Sequence, residues 1–438
     1  MSAPCLDAVI VGAGVVGAAC AYHATRAGLS VAVVDRGPVA GGTTGAGEGN
    51  LLVSDKEPGP ELQLALLSTR LWRELAAALP PEDAVEYEPK GGLVLAPDET
   101  ALTALRAFAA GQRAAGVEAQ EVGERELPSL EPQLTKGLAG GFLYPQDAQV
   151  QPARAAAALL RAARRHGALV RLGEEVTAVL TGPHGAVRGV RTPRGELHAP
   201  AVVNATGTWG GHLAALAGTR LPVLPRRGFV LVTEPLPPGL IRHKVYAADY
   251  IADVASDSAA LQSSAVVEGT PAGPVLIGAT RERVGFDRTL STEALRRLAG
   301  QATALFPRLA DVHAIRTYCG FRPYLPDHLP AIGPDPRVPG LHHACGHEGA
   351  GIGLAPATGL LVTAALTGSE PPVAAWPFRP ERFDGRGRAD DFSDRSDFSD
   401  FSDFSDRRSD FSDRSDHLNR SDRFDRPDGP PPSPGART

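Results

Sequence analysis

Near the start of the chain, the stretch Val9-Ile10-Val11-Gly12-Ala13-Gly14-Val15-Val16-Gly17 constrains the fold more than any other. It reads as a buried strand, a glycine turn and the start of a helix. Gly12 permits the tight turn, Gly14 lets a pyrophosphate approach the backbone, and Gly17 lets the helix sit close to the strand. Val15 and Val16 fall in the first helical turn, whose free N–H groups and positive dipole end suit phosphate. A second apolar run, Val31-Ala32-Val33-Val34, ends in Asp35 and Arg36. An acid at the end of that strand accepts hydrogen bonds from a ribose and disfavours a 2'-phosphate. The spacing predicts a dinucleotide-binding βαβ unit. An ordinary buried βαβ unit explains the apolar runs but not three glycines so placed.

At 438 residues and 43% hydrophobic, the chain has enough length and apolar content for two domains around sizeable cores. Its formal net charge is -6, with no obviously basic face, so nucleic-acid binding is not indicated. Cys5, Cys20, Cys319 and Cys345 form no C-x-x-C pair and no metal-ligand spacing. That usage fits a reducing cytoplasm. No signal peptide or membrane-spanning run is expected; the apolar stretch around Val9 to Ala21 is broken by the fingerprint glycines.

Along the chain, helices are expected over Leu62–Leu79, Glu99–Ala115, Pro152–His166, Thr292–Phe306 and Gly349–Leu366. Strand patterns recur at Gly91–Leu95, Leu169–Leu172, Val176–Leu180, Val187–Arg191 and Ala201–Gly207. The stretch from Pro222 to Ala279 is rich in short β patterns, which suggests an antiparallel sheet inserted between nucleotide-binding segments. From Asp384 onward Phe-Ser-Asp and Arg-Ser-Asp triplets recur, ending in a proline run. That tail is poor in aliphatic residues and is expected to be disordered.

Several ordered motifs together resemble the flavin-dependent amine and D-amino-acid oxidoreductases, over about residues 6 to 375. They are the loop Gly42-Thr43-Thr44-Gly45-Ala46-Gly47, with Glu48, Gly49 and Asn50 following; Asn204-Ala205-Thr206-Gly207 with Trp209; Gly320-Phe321-Arg322-Pro323; Pro326 to Gly333; and Gly346-His347-Glu348-Gly349-Ala350-Gly351-Ile352-Gly353. The resemblance implies FAD as cofactor, with the 42–50 loop on the pyrophosphate and flavin. It places the strand containing Val176 against adenine and the last glycine cluster near the flavin pyrimidine. It also implies an α/β Rossmann-like FAD-binding domain over 1–85, 150–218 and 310–380. An inserted α+β substrate domain is expected over 86–149 and 219–309, and the tail over 384–438.

In that family an arginine at the position of Arg322 holds an amino-acid carboxylate by two parallel hydrogen bonds, the work a planar guanidinium suits. Tyr246 and Tyr250 are candidates for a second hydrogen bond to the carboxylate, and His347 for a donor to flavin or pocket. Glu48 either orients a substrate amine or caps a turn. A covalent flavin link at Cys319 is not expected, because the family's position falls on Gly320. Cys345 reads as a small buried hydrophobe.

The stretches Arg226–Val232 and Gly346–Gly359 look most like catalytic subunits of hydroxyproline, opine and cyanide-forming glycine dehydrogenases. This implies hydride transfer from the α-carbon of a small D- or cyclic amino acid, D-hydroxyproline favoured, to flavin N5. Small iron–sulfur and pyridine-nucleotide-type subunits are the implied electron acceptors. The alternatives are a self-contained glycine or sarcosine-type oxidase releasing hydrogen peroxide, and a flavin-bound scaffold subunit without turnover.

Overall fold

The computed structural model describes residues 6–254, 256 and 258–384; apart from Asp384, the tail expected to be disordered lies outside them. The βαβ unit forms as the glycine spacing dictates. Strand Ala8–Val11, helix Val15–Arg26 and strand Val31–Asp35 follow one another, and the two strands pair in parallel with Ala8 opposite Val31. They lie within a six-stranded sheet ordered 331–334, 341–345, 201–204, 8–11, 31–35, 169–172. All its pairs are parallel except the first. Ala8–Val11 is buried along its whole length, as a parallel strand covered on both faces must be.

Helices 15–26, 152–165 and 351–367 pack together against this sheet, and helix 60–78 packs on the last of them. Helices 15–26 and 351–367 meet where Gly359 rests on the backbone of Ala19, leaving no room for a Cβ. With the turn before it, helix 351–367 forms the stretch Glu348–Thr367, long and apolar enough to cross a membrane by length and composition. Here its residues Leu354, Ala355, Ala357, Leu361 and Val362 belong to the main core. Pro356 lies inside this helix and has no N–H to give the carbonyl of Ile352, four residues back. The indole Nε1 of Trp72 donates to that carbonyl instead, at 3.0 Å.

The second sheet has eight strands, ordered 314–324, 224–233, 275–281, 262–269, 244–247, 92–96, 140–144, 120–123. The expected antiparallel sheet is therefore mixed, because 244–247 runs parallel to 92–96. Helix Thr292–Leu305, capped by the Ser291 side chain on the Ala294 amide, covers a separate core with Phe229, Val245 and Ile277.

Three expectations change. Strand 314–324 belongs to the eight-stranded sheet, pairing with 224–233 from Tyr324 opposite Leu224 to Ala314 opposite Thr233. It falls in the segment 310–380 expected to belong to the FAD-binding domain, but its hydrogen bonds are made in the other sheet. Val176 lies in the connection between strands 169–172 and 178–181 rather than in a strand. The stretch Pro222–Ala279, expected to be β-rich, also contains a short helix, Asp249–Val254, directly after strand Lys244–Ala247.

Candidate active site

Gly12 has φ of +118°, and a Cβ there would overlap the carbonyl oxygen of Ala205. A Cβ at Gly17 would overlap the carbonyl of Gly12 in turn, so the turn, the helix and the 204–207 segment interlock. Asp35 accepts the amide of Ala13 on one carboxylate oxygen and that of Gly37 on the other, each at 2.7 Å. An ionised carboxylate has capacity for further donors, such as ribose hydroxyls. The guanidinium of Arg36 lies 4.4 Å from the ring centre of Trp209 and 3.7 Å from Glu175. The ring of Trp209 also covers Gly42 and stacks on Phe286.

The glycine-rich loop is tied to both sheets. Thr44 Oγ1 accepts the amide of Val15 at 3.1 Å and abuts Gly14. Thr43 and Thr208 both donate to the carbonyl of Phe321, at 2.6 and 2.8 Å. Thr206 donates to Asn204 Oδ1, and Gly207 approaches Thr43. The Gly47 carbonyl accepts the Tyr318 hydroxyl at 3.4 Å, Gly49 lies against the backbone of Val150, and Asn50 receives the ammonium of Lys244.

Beyond the loop, three glycines on adjacent strands form a side-chain-free floor. Gly320 pairs with Gly228, and Gly278 lies on the next strand. Ala46 lies on Gly320, Arg322 on Gly228 and Glu48 on Gly278; a Cβ at any of the three would collide with its neighbour. Arg322 Nη1 donates to the Thr280 carbonyl at 2.8 Å. Burial and then the charge of Arg281 lower Arg322 to about 10.

Glu48 does not cap a turn. Its carboxylate is buried, and Oε1 has no hydrogen-bond partner. Burial raises its pKa to about 7, against the opposing charge of Lys244. Arg281 is buried, its guanidinium 4.7 Å from the ring centre of Tyr250, and its Nη1 also lacks a partner.

The last glycine cluster closes the site. Gly349 faces Arg322, Gly353 faces the Asn50 carbonyl, and Gly346 leaves room for Leu325. Ala350, Gly351 and Ile352 begin the helix between them. The two polar side chains here each have partners within the protein. His347 Nε2 lies 3.0 Å from Thr358 Oγ1, and burial lowers the imidazole to about 3, keeping it neutral. Glu348 contacts Arg226 Nη1 at 2.5 Å and His328 Nδ1 at 2.9 Å. Burial alone would raise Glu348, yet the His328 hydrogen bond and the Arg226 charge hold it at about 2. His347 Nε2 and the Glu348 carboxylate are thus engaged within the protein.

The two tyrosines separate. Tyr246 lies 2.5 Å from Ser54 Oγ, and Ser54 in turn donates to the buried carboxylate of Asp147. Its hydroxyl is thus engaged in a polar network rather than turned to Arg322. Tyr250, with its ring under Arg281, is the one beside the buried arginine. Cys319 packs against the second core, on the strand face opposite Gly320 and Arg322, while Cys345 is buried. Sequence reading missed Arg281 and the roles of Gly228 and Gly278, since only strand pairing sets them beside Arg322 and Glu48.

A family model described as FAD dependent oxidoreductase matches residues 7–365. The chain belongs to this family. It is 31% identical to hydrogen cyanide synthase subunit HcnC of Pseudomonas aeruginosa, over 86% of this chain and 96% of that one. It is also 31% identical to glycine oxidase of Geobacillus kaustophilus, over 87% and 98%. The crystal structure of that glycine oxidase superposes with a TM-score of 0.78 over 86% of this chain and 98% of that chain, at 30% identity. L-proline dehydrogenase from P. horikoshii does so with a TM-score of 0.78 at 25% identity, over the same shares.

FAD is the cofactor of this oxidoreductase. The residues fit it: the interlocked Gly12–Gly17 turn leaves backbone for phosphate, and the 42–50 loop joins that turn to the glycine floor.

Proposed function

We propose that this FAD-dependent oxidoreductase oxidises the α C–H bond of an amino acid to the imine, which water then hydrolyses. When bound, FAD supplies the two-electron acceptor. The observation that carries the reading is the juxtaposition of Arg322 and Glu48 on the glycine floor. Arg322, pinned by the Thr280 carbonyl, holds the substrate carboxylate and so fixes which face of the α-carbon is presented. The amine must be neutral before its C–H bond is oxidised. Glu48, with a pKa near neutrality and an unpartnered oxygen, takes the ammonium proton. Tyr250 and the floor exclude water from this contact.

The FAD site is formed by the backbone of Gly12, Gly14, Val15, Val16 and Gly17, by Asp35 toward ribose, and by the 42–50 loop. Gly346–Gly353 lies toward the reacting ring, where the N-terminal end of its helix favours negative charge. The names of glycine oxidase, L-proline dehydrogenase and iminodiacetate oxidase support an amino-acid substrate. D-hydroxyproline, favoured by the sequence resemblance, carries one carboxylate and leaves Arg281 without a counter-charge. Likeness to a subunit of hydrogen cyanide synthase supports partner subunits, and small iron–sulfur and pyridine-nucleotide-type subunits would take the electrons. Rapid peroxide release by the chain alone in air would instead mark a self-contained oxidase.

The test is an anaerobic titration of the purified flavoprotein with D-, L- and cyclic amino acids, following visible flavin absorbance. Bleaching by at least one is expected. A flavoprotein bleached by none, even with its partners added, overturns the reading in favour of a scaffold.

A further inference from the structure

The charges around the glycine floor do not balance. Lys244 is paired with Glu268, and Lys56 with Asp55. Arg226 is paired with Glu348, and Arg227 with Glu282 and Asp287. Among the described residues, Arg322 and Arg281 have no carboxylate within ion-pair distance, and neither does Glu48 have a cation. The two guanidiniums feel each other's charge and both act on Glu48. Uncompensated cations in the interior are unfavourable unless something else neutralises them. A substrate with one carboxylate would neutralise Arg322 and leave Arg281 Nη1 solvent-excluded and unbonded.

We propose that the substrate is an amine carrying two carboxylates, one held by Arg322 and the other by Arg281, with its nitrogen facing Glu48. The assignment rests on the amino-acid oxidation proposed above and names its substrate class. Two guanidiniums and one carboxylate are the complement of two carboxylates and one ammonium. Tyr250, whose ring lies under the Arg281 guanidinium, holds that arginine in the interior rather than in solvent. Both acidic amino acids, with a primary amine, and N-carboxyalkyl amino acids, with a secondary amine, carry this chemistry.

The experiment compares kcat/KM of the FAD-loaded enzyme, with an artificial electron acceptor, across three groups. These are glycine, sarcosine, proline and D-hydroxyproline; the D- and L-forms of aspartate and glutamate; and iminodiacetate with N-carboxymethyl amino acids. One of the two dicarboxylate groups is expected to exceed every monocarboxylate by about tenfold or more, and which one it is identifies the source. A charge-assisted hydrogen bond accounts for a ratio of about ten- to a hundredfold. Arg281→Met is expected to shrink that ratio by about the same factor, chiefly through KM, with FAD retained.

Monocarboxylates oxidised as well as or better than dicarboxylates overturn the proposal while leaving amino-acid oxidation standing. So does an Arg281→Met enzyme that loses both groups equally or releases FAD. If no amine of any group is oxidised, the underlying reading fails as well. Should Arg281→Met not fold, perturbation of the wild-type flavin spectrum by succinate and glutarate against acetate and butyrate decides the matter. Tighter binding of the dicarboxylates, by about tenfold, is expected, and equal binding overturns the proposal.

Discussion

The carboxylate of Glu48 lies flat against the backbone of Gly278, so close that a Cβ at position 278 would overlap it. The contact removes water from the acid, and burial is the first cause of its pKa of about 7. A group that must accept the substrate's ammonium proton is competent only when ionised. kcat/KM should therefore rise with pH and level off above about 7, reporting the free enzyme. In Glu48→Gln that limb should disappear and kcat/KM should fall by about a hundredfold or more. A pH–rate profile of both proteins checks this; an unchanged limb in Glu48→Gln removes Glu48 from the proton path.

Stability should run the other way with pH. Burial also raises Asp147 to about 7, the Ser54 hydrogen bond opposing it. Both acids hold their protons more tightly folded than unfolded. Their contribution is complete below about pH 4 and is lost as pH rises through about 7. The loss for Glu48 alone is on the order of 3 kcal/mol. Urea unfolding between pH 5 and 8 should show a shallower decline in Glu48→Gln and in Asp147→Asn than in wild type. Equal slopes in all three proteins would contradict the sign.

Gly228→Ala should damage the carboxylate site without touching the FAD fingerprint. The new methyl would collide with Arg322 Nη1 and would stand 2.6 Å from the Thr280 carbonyl, a backbone atom that cannot step aside. Arg322 then loses the hydrogen bond that aims it. KM should rise by about tenfold or more, with overpacking costing about 1–3 kcal/mol of stability. Steady-state kinetics beside the flavin content of the purified variant separates the two effects; a normal KM would show that Arg322 does not depend on this floor.

The fold was legible where local chemistry decides it. Gly12, Gly17 and Asp35 carry their geometry in their spacing, and helices such as Thr292–Leu305 announce themselves by a cap and an apolar face. Arg322 could be proposed from sequence because its motif is contiguous. Arg281 could not, because it ends an ordinary β run and comes within electrostatic reach of Arg322 only through the pairing of strands 275–281, 224–233 and 314–324. The same nonlocality hid the fate of His347 and Glu348. Their position beside a glycine cluster is visible in sequence, but Thr358, Arg226 and His328, which engage them, are fixed only by tertiary packing. Likewise nothing near Tyr246 in sequence reveals its contact with Ser54 or the bond from Ser54 to Asp147.

Trp72 and Pro356 offer a test far from the chemistry. The proline frees the Ile352 carbonyl in the first turns of the helix that closes the site, and the Trp72 indole supplies the missing donor. Trp72 is fully buried, so no water reaches that carbonyl from its side. Trp72→Phe keeps an aromatic ring but leaves a buried acceptor unsatisfied, which costs about 1–3 kcal/mol beyond the lost volume. Pairing it with Pro356→Ala restores an N–H to the helix and should recover part of that loss. Because Ile352 and Gly353 adjoin the 42–50 loop through Asn50, the single variant should also hold FAD more weakly. Thermal unfolding with and without added FAD measures both effects. No rescue in the double variant would mean the Trp72 hydrogen bond does not substitute for the one that Pro356 removes.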